Sequence, residues 1–418
     1  MHQRALLILI GGRQTPNVLT AQFLKPDLIV PIASHEAMRP GDTWSKIAPV
    51  LKQLCPDGVT NPIQIDAFDP IQIQAECEKV LANHRDATWW INITCGTTLM
   101  SLGVSEAAKK FPTASVWYLD SNHRKVITLQ GNPPDGNIFR LTVSDYLTAF
   151  QRRPKHQQTV SPTQEFLNLA RIFAQKPYYF IEFKKLLHGQ KANALLPDQD
   201  ATLTLPSGEK LVKDMCRMAK AAGLINGYLT GFDSVSIQVV GPGLWEFVAG
   251  KWLEYLVWDA ARKAGCFDDI RMSVEIPGQF GLNELDLAAT VSANLLIAEC
   301  KTDANPFISK AAKDRQAEHI RSNPGFRPEV DASRDSGTAY LDKLNSIAGL
   351  IGGSFVTKLF ICSQRAPDAV KKMWMFKPYE SFIGQAKERQ IVVITGDQLG
   401  RLPELLREQA ERPTYART

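Results

Sequence analysis

Leu285–Lys301 reads LDLAATVSANLLIAECK. Two apolar β-type runs, Leu285–Thr290 and Asn294–Cys300, flank a turn around Ser292-Ala293, the pattern of a hairpin. Side chains alternate along a strand, so Glu299 and Lys301 share a face, and the hairpin carries Asp286 to the same end of the sheet. Glu284, two residues before Asp286, falls on that side as a weaker candidate. Burying an Asp beside a Glu is costly unless a cation joins them. Hard oxygen donors favour Mg²⁺ or Mn²⁺ over zinc. The Lys301 ammonium would orient an attacking water and offset charge on a five-coordinate phosphate. Glu254, on the preceding helix, is the natural additional acid. The same residues would also satisfy a surface ion-pair network, and at this point both readings stand.

Around this hairpin, residues 244–418 predict an α/β domain able to stand alone. It opens with a helix over Trp245–Ala264 closed by Gly265, followed by a strand Met272–Ile276 and a turn at Pro277-Gly278. Further strands are expected at Leu359–Cys362 and Ile391–Thr395. The long polar span Pro306–Thr338 reads either as a substrate-gripping flap or as a solvated loop. Residues 163–243 predict helices at Thr163–Gln175, Phe180–Leu187 and Glu209–Ala222, then an extended Val235–Val240, a winged-helix-like connector. On its third helix Lys210, Lys213, Arg217 and Lys220 share one face, while Leu211, Met215, Met218 and Ala222 form the opposite apolar stripe. That basic face either tracks phosphates or is simply solvated. The polar stretch Gln151–Pro162 reads as a linker.

Residues 1–150 alternate strands and helices: Ala5–Ile10, Leu28–Ile32, Ile63–Phe68, Trp89–Ile93 and Ala114–Leu119 as strands, with helices at Val18–Leu24, Trp44–Leu54, Glu76–Ala82 and Thr97–Phe111. Strands apolar on both faces indicate a parallel sheet wrapped by helices, with ligands bound beyond the carboxyl ends of its strands.

The composition suits this plan. The chain has 418 residues, 44% hydrophobic and 22% charged, enough for several full-sized cores. The seven cysteines lie singly, without zinc-site spacing, and suit a reducing compartment. Ala5–Ile10 is too short for a membrane span and lacks a cleavage site, so a cytoplasmic protein with no membrane partner is expected. Gly11-Gly12 does not continue as a P-loop, and no Ser–His–Asp or Cys–His motif is present. A net charge of +5 permits a polyanionic partner without requiring one.

Asp286…Glu299-x-Lys301, preceded by Gly250-Lys251-Trp252-Leu253-Glu254, resembles the PD-(D/E)XK nuclease core. More narrowly, the chain resembles the CRISPR ancillary nucleases that join such a nuclease to an N-terminal CARF domain. Leu7–Asn17 (LILIGGRQTPN) is similar to the first strand and ligand loop of CARF domains, and Asn92–Met100 (NITCGTTLM) to a second glycine turn of that fold. Lys343-Leu344 ahead of Gly352-Gly353 is similar to a helix of the nuclease group. The resemblance implies a Rossmann-like CARF domain, a winged-helix-like connector and a restriction-endonuclease-like domain. It further implies a homodimer that binds a cyclic oligoadenylate, the tetra-adenylate ring foremost, and then cuts DNA or RNA to leave a 5′-phosphate. By the same resemblance, Asp286, Glu299 and the Cys300 carbonyl hold the metal, Glu254 assists, and Lys301 places the water. Residue chemistry fits a phosphate-binding CARF site: Gly11, Gly12 and Gly96 permit close backbone approach. Thr97 opens a helix where free N–H groups favour an anion. Gln14, Thr15, Asn17 and Thr94 are neutral polar groups suited to phosphate, ribose or adenine edges. Cys95 and Thr98 depart from the family turn, replacing a Gly and a Lys. Two alternatives are a non-catalytic, nucleotide-sensing DNA-binding regulator and a constitutive restriction-like nuclease.

Overall fold

The apolar run near the start of the chain forms β1 (Arg4–Ile10), buried at every position after Arg4, so both of its faces must be covered. The computed structural model describes residues 3–12, 14–39, 41–120, 125–132, 140–158, 161–177, 180–181, 184, 202–206, 210–230, 234–239, 246–278, 281–291, 294–302, 305–322, 337–352, 356–367 and 373–411. β1 lies inside a six-stranded sheet with β2 (Leu28–Ser34), β3 (Ile63–Ile65), β4 (Thr88–Asn92), β5 (Ala114–Asp120) and β6 (Lys125–Gln130), in the order β3-β2-β1-β4-β5-β6. All pairings are parallel except β5 with β6. The expected parallel sheet is therefore present, with one antiparallel edge strand beyond it. The strand expected over Ile63–Phe68 stops early because Asp66 Oδ1 accepts from Phe68 N at 2.9 Å and turns the chain.

Helices α1 (Thr15–Leu24), α2 (Thr43–Leu54), α3 (Pro70–Asn83) and α4 (Thr98–Ala108) connect the strands, and α5 (Val143–Ala149) follows. Their starts are legible: Asp69 caps α3 ahead of Pro70, Thr97 caps α4, and Thr142 with Asp145 forms a capping box on α5.

Next comes β7 (His156–Gln158), inside the stretch read as a linker. It is instead the edge strand of a second six-stranded sheet, pairing antiparallel with β11 (Asp269–Pro277). Its polar side chains suit an edge. The connector is thus inserted between two strands of one sheet. It contains α6 (Gln164–Gln175), β8 (Thr202–Pro206), α7 (Lys210–Ala221), β9 (Ile225–Thr230) and β10 (Ser234–Val239), with a three-stranded antiparallel sheet β8-β10-β9. Most of the helix expected at Phe180–Leu187, and the side chains of Lys210 and Leu211, lie outside the described residues.

The second sheet runs β15-β14-β13-β12-β11-β7. β12 (Leu282–Val291) and β13 (Asn294–Lys301) form the expected hairpin; β14 (Val356–Cys362) and β15 (Ile391–Ile394) continue it in parallel. The helix expected over Trp245–Ala264 is broken: a wide turn at Phe247–Lys251 precedes α8 (Trp252–Ala264), which Gly265 closes at φ +69°. The polar span after the hairpin holds a helix, α9 (Lys310–Ser322), where KAAKDRQAEHIRS consists mainly of good helix formers; residues 323–336 lie outside the described set. Helices α10 (Ala339–Leu350), α11 (Met373–Glu388) and α12 (Leu402–Glu411) complete the domain. Among the described residues no helix is long and apolar enough to cross a membrane.

The apolar cores cross the expected domain boundaries. One cluster joins Leu6 and Ile8 of the first sheet, Val143 and Leu147 of α5, and Ile297 and Phe360 of the second sheet. Polar contacts reinforce the junction: Val143 N donates to Asp269 Oδ2 at 2.9 Å, and Thr290 Oγ1 donates to Leu141 O. The second sheet is therefore not independent of the first. A second cluster packs α6, α7, α8 and α12 with the other face of that sheet.

Candidate active site and nucleotide-facing loops

Two local irregularities aim the acidic residues. Leu285 packs in one core cluster and Leu287 in the other, so the alternation of β12 breaks at Asp286. Met272 and Val274 are split in the same way, and Ser273 between them, opposite Asp286, has φ +48°. The β11–β12 register carries no extra residue there; the shift lies on the other side of β11, between Met272 and Glu275 against β7, and the left-handed serine falls within it. Ladder pairing of β12 with β13 stops at Leu287↔Ala298, and Asp286 Oδ2 instead accepts from Cys300 N at 2.6 Å.

Glu299 and Lys301 share a face as expected: Lys301 Nζ lies 2.6 Å from Glu299 Oε1. Glu299 is 1% exposed. Lys343, on α10, reaches both of its oxygens at 3.1 Å. The Lys301 ammonium also lies 5.4 Å from the centre of the Tyr340 ring. Glu254 enters the same cleft, where Lys251 Nζ pairs with its Oε2 at 2.7 Å and also donates to Ser273 Oγ. The cleft, about 910 Å³, is lined by Lys251, Glu254, Ser273, Asp286, Cys300 and Lys301 among others, with exposed Glu284 on its wall.

Burial, and next the charge of Glu299, pushes the Asp286 carboxyl up to about 7. Burial alone would lower Lys301, but Glu299 and Asp286 hold it above its ordinary value. Glu254 is raised by burial, against the pull of Lys251. The site is thus short of positive charge at its carboxylates, the condition a divalent ion relieves.

Among the described residues no three His, Cys, Asp or Glu side chains gather as a metal cluster. The expected set needs a main-chain oxygen as its third donor, and the Lys301 ammonium tests it. That ammonium lies 2.6 Å from Glu299 Oε1, 3.2 Å from the Cys300 carbonyl and 3.9 Å from Asp286 Oδ2. Three oxygens thus surround one cation, at spacings wider than a bound divalent ion would take. An all-oxygen set of this kind fits Mg²⁺ or Mn²⁺.

In the first sheet, β1 and β4 are neighbours where the strand order reverses, the crevice at which doubly wound sheets bind ligands. The loops after these strands touch. A Cβ on Gly11 would sit 1.6 Å from the Cys95 carbonyl oxygen, and one on Gly96 would sit 2.5 Å from Leu9 Cδ1. Gly12 faces open space.

Several side chains expected to face a ligand are used internally, a correction to the sequence reading. Asn17 Nδ2 donates to Leu9 O at 2.8 Å, and Asn92 Nδ2 donates to Asn17 Oδ1 at 3.2 Å. Thr94 donates to Asn92 Oδ1 and accepts from Leu119 N. Thr97 Oγ1 accepts from Met100 N and donates to Ala67 O. Thr15 is 1% exposed. These bonds hold the loops together, and those of buried Asn17 and Asn92 satisfy polar atoms that must be paired. Gln14 differs: its Nε2 donates to Thr43 O at 3.4 Å, but its buried Oε1 has no partner among the described residues. Gly12 and the N-terminal turn of α4 are open at this crevice, while the unpartnered Gln14 Oε1 is buried beside it.

Sequence reasoning left out Asn92, Lys343 and Ser273 as site residues. Asn92 had a signal, a polar residue closing the apolar strand Thr88–Asn92. Lys343 lies far along the chain from Glu299, and Ser273 is an unremarked strand residue.

Comparison with known proteins follows the same two-part division. Residues 6–146 match the family model of the Card1 CARF domain, and residues 244–320 match that of the Card1-like endonuclease domain. The chain pairs a Card1-type CARF domain with a Card1-like endonuclease domain. In fold it is similar to protein VC1899 from Vibrio cholerae (TM-score 0.68, 19% identity, 98% of each chain covered). It is also similar in fold to Can2 from Sulfobacillus thermosulfidooxidans, solved with cyclic tetra-adenylate (TM-score 0.63, 17% identity, 98% of each chain covered). No curated protein matches the chain. In these terms the β1–β4 crevice belongs to the CARF domain and the Asp286–Lys301 cleft to the endonuclease domain.

Proposed function

We propose that the protein is a cyclic-oligoadenylate-activated, divalent-metal-dependent nuclease of type III CRISPR defence, acting as a homodimer on DNA or RNA. The observation that carries this reading is the convergence of Glu299, Asp286 and the Cys300 carbonyl on the Lys301 ammonium. Cyclic tetra-adenylate, the ligand with which Can2 was solved, is the first activator to test.

Asp286, Glu299 and the Cys300 carbonyl would hold Mg²⁺ or Mn²⁺. When bound, the ion would polarise the scissile phosphate. Lys301 stays protonated, so it donates to the attacking water and offsets charge on the reacting phosphate, and it does not take the proton. Lys343, which reaches both Glu299 carboxylate oxygens, would fix their position. Lys251 orients Glu254. In the CARF domain, Gly12 and the start of α4 would receive phosphates and Gln14 Oε1 would accept from an adenine amino or ribose hydroxyl group. The ligand acts by binding one dimer arrangement better than another.

The test is cleavage of labelled single-stranded RNA, single-stranded DNA and supercoiled plasmid with Mn²⁺, with and without cyclic tetra-adenylate, beside Glu299→Ala. Ligand-dependent cutting lost in the variant is expected. Cutting without ligand would make the protein a constitutive nuclease. Absence of cutting despite ligand binding would make it a regulator.

A further inference from the structure

Helix α7 of the connector has two sharply different sides. Val212, Met215, Cys216, Ala219 and Ala222 are buried, and they press the helix onto α6 and the β8-β10-β9 sheet. Lys213, Arg217 and Lys220 are exposed on the other side. At a 1.5 Å rise and 100° per residue, these three heads lie within an arc of roughly 60° and along roughly 10 Å of helix. Asp214 is the single carboxylate of the helix; it pairs with Arg217 at 3.0 Å, and Arg217 remains 70% exposed. Lys213 and Lys220 have no ion pair among the described residues.

A row of exposed cations on one helix, two of them without an ion pair among the described residues, complements a row of phosphates, which succeed one another about every 3.4 Å along each strand of a duplex. The helix that carries the row is linked to the cleft by helix packing. Helix α7 packs on α6, which packs on α8, the helix that carries Glu254. Two interhelical spacings put α7 roughly 20 Å from α8, less than one duplex turn. The cleft itself has an acidic wall of Glu246, Glu275 and Glu284, so a polyanion gains little from non-specific attraction there and needs a hold elsewhere.

We infer that Lys213, Arg217 and Lys220 form a phosphate-backbone grip that anchors nucleic acid outside the endonuclease cleft, independently of base sequence. This rests on the nuclease reading above. The contacts are electrostatic, so their signature is salt dependence. Three phosphate contacts contribute about 2 to 3 to the slope of log affinity against log salt.

The experiment uses the full chain carrying Glu299→Gln, so that the nucleic acid stays whole. Fluorescence anisotropy with labelled single-stranded and duplex DNA is measured across a fourfold rise in salt, with and without Lys213→Gln/Arg217→Gln/Lys220→Gln. The salt rise is expected to cost the parent about 20- to 40-fold more affinity than it costs the triple variant. A control, Lys46→Gln/Lys52→Gln/Arg85→Gln in the CARF domain, should behave as the parent, and all proteins should melt alike. Equal salt slopes for parent and triple variant would overturn the grip, as would an equal loss in the control. Binding to anionic phosphatidylglycerol vesicles that the triple variant loses while it keeps DNA would assign the face to lipid instead. A parent that binds no nucleic acid at any salt would refute the nuclease reading along with the grip.

Discussion

Gly11→Ala is the sharpest probe of the CARF crevice. The added methyl would lie 1.6 Å from the Cys95 carbonyl oxygen and 2.8 Å from its carbon. To open that contact to 3.0 Å the two loops must part by about 1.4 Å, and both are backbone, so no side chain can swing away. The loops are also tied together by the buried Asn17–Asn92–Thr94 hydrogen bonds, which would stretch with them. Overpacking of this kind costs about 1–3 kcal/mol, and the Gln14 and α4 ends of the crevice move apart together. Differential scanning calorimetry should therefore show a lower melting temperature. Isothermal titration with cyclic tetra-adenylate should show affinity reduced by at least about tenfold, which is about 1.4 kcal/mol. Gly12→Ala, with open space around it, should melt nearly as the parent. If Gly11→Ala bound the ring as tightly as the parent, the contact between these loops would have no part in ligand binding.

Other outcomes follow from single contacts. Lys343→Met removes one of the two cations at buried Glu299, and metal-stimulated cleavage should fall about 10–100-fold in initial-rate assays while Lys301 keeps the fold intact. Asn92→Ala leaves buried Asn17 and Thr94 groups unpaired and should cost about 2–4 kcal/mol in urea melts. At Asp259, burial favours the neutral acid, but hydrogen bonds from Lys263 and Arg171 outweigh it and hold the carboxyl below its ordinary value. Its stabilisation is therefore present above the unfolded value of 3.8 and is lost as pH falls through the lower folded one. Asp259→Asn should melt below the parent at neutral pH, and the gap should close at strongly acid pH.

The parts of the molecule visible in sequence were those whose cause is local. β1 and β4 are apolar on both faces, and Gly265 ends α8 in the left-handed conformation that favours glycine. The Glu299–Lys301 pairing follows from strand periodicity alone. Asp286 was expected to reach Glu299 through the hairpin, and Cys300 N does bond its Oδ2; the left-handed Ser273 opposite Asp286, where the alternation of core contacts breaks, was no part of that reading. Ser273 carries no mark of that conformation in sequence. Lys343 meets Glu299 only because α10 folds back over β13, a long-range event invisible to a window of residues. In the CARF loops, the polar residues were read outward toward a ligand. Instead buried Asn17, half-buried Thr94 and exposed Thr97 all bond backbone groups of the chain itself.

The placement of β7 has a practical consequence for dissecting the protein. A fragment cut at residue 244, where the endonuclease family match begins, would lack His156–Gln158 and Lys155, whose N–H donates to Glu275 O at 2.9 Å. That would uncover the backbone donors and acceptors along the outer side of β11 and leave them free to recruit strands from other molecules. Such a fragment would aggregate for a reason unrelated to its catalytic residues. A soluble version must keep the stretch from Lys155 to Gln158, joined to β11 across the connector or supplied as a separate strand.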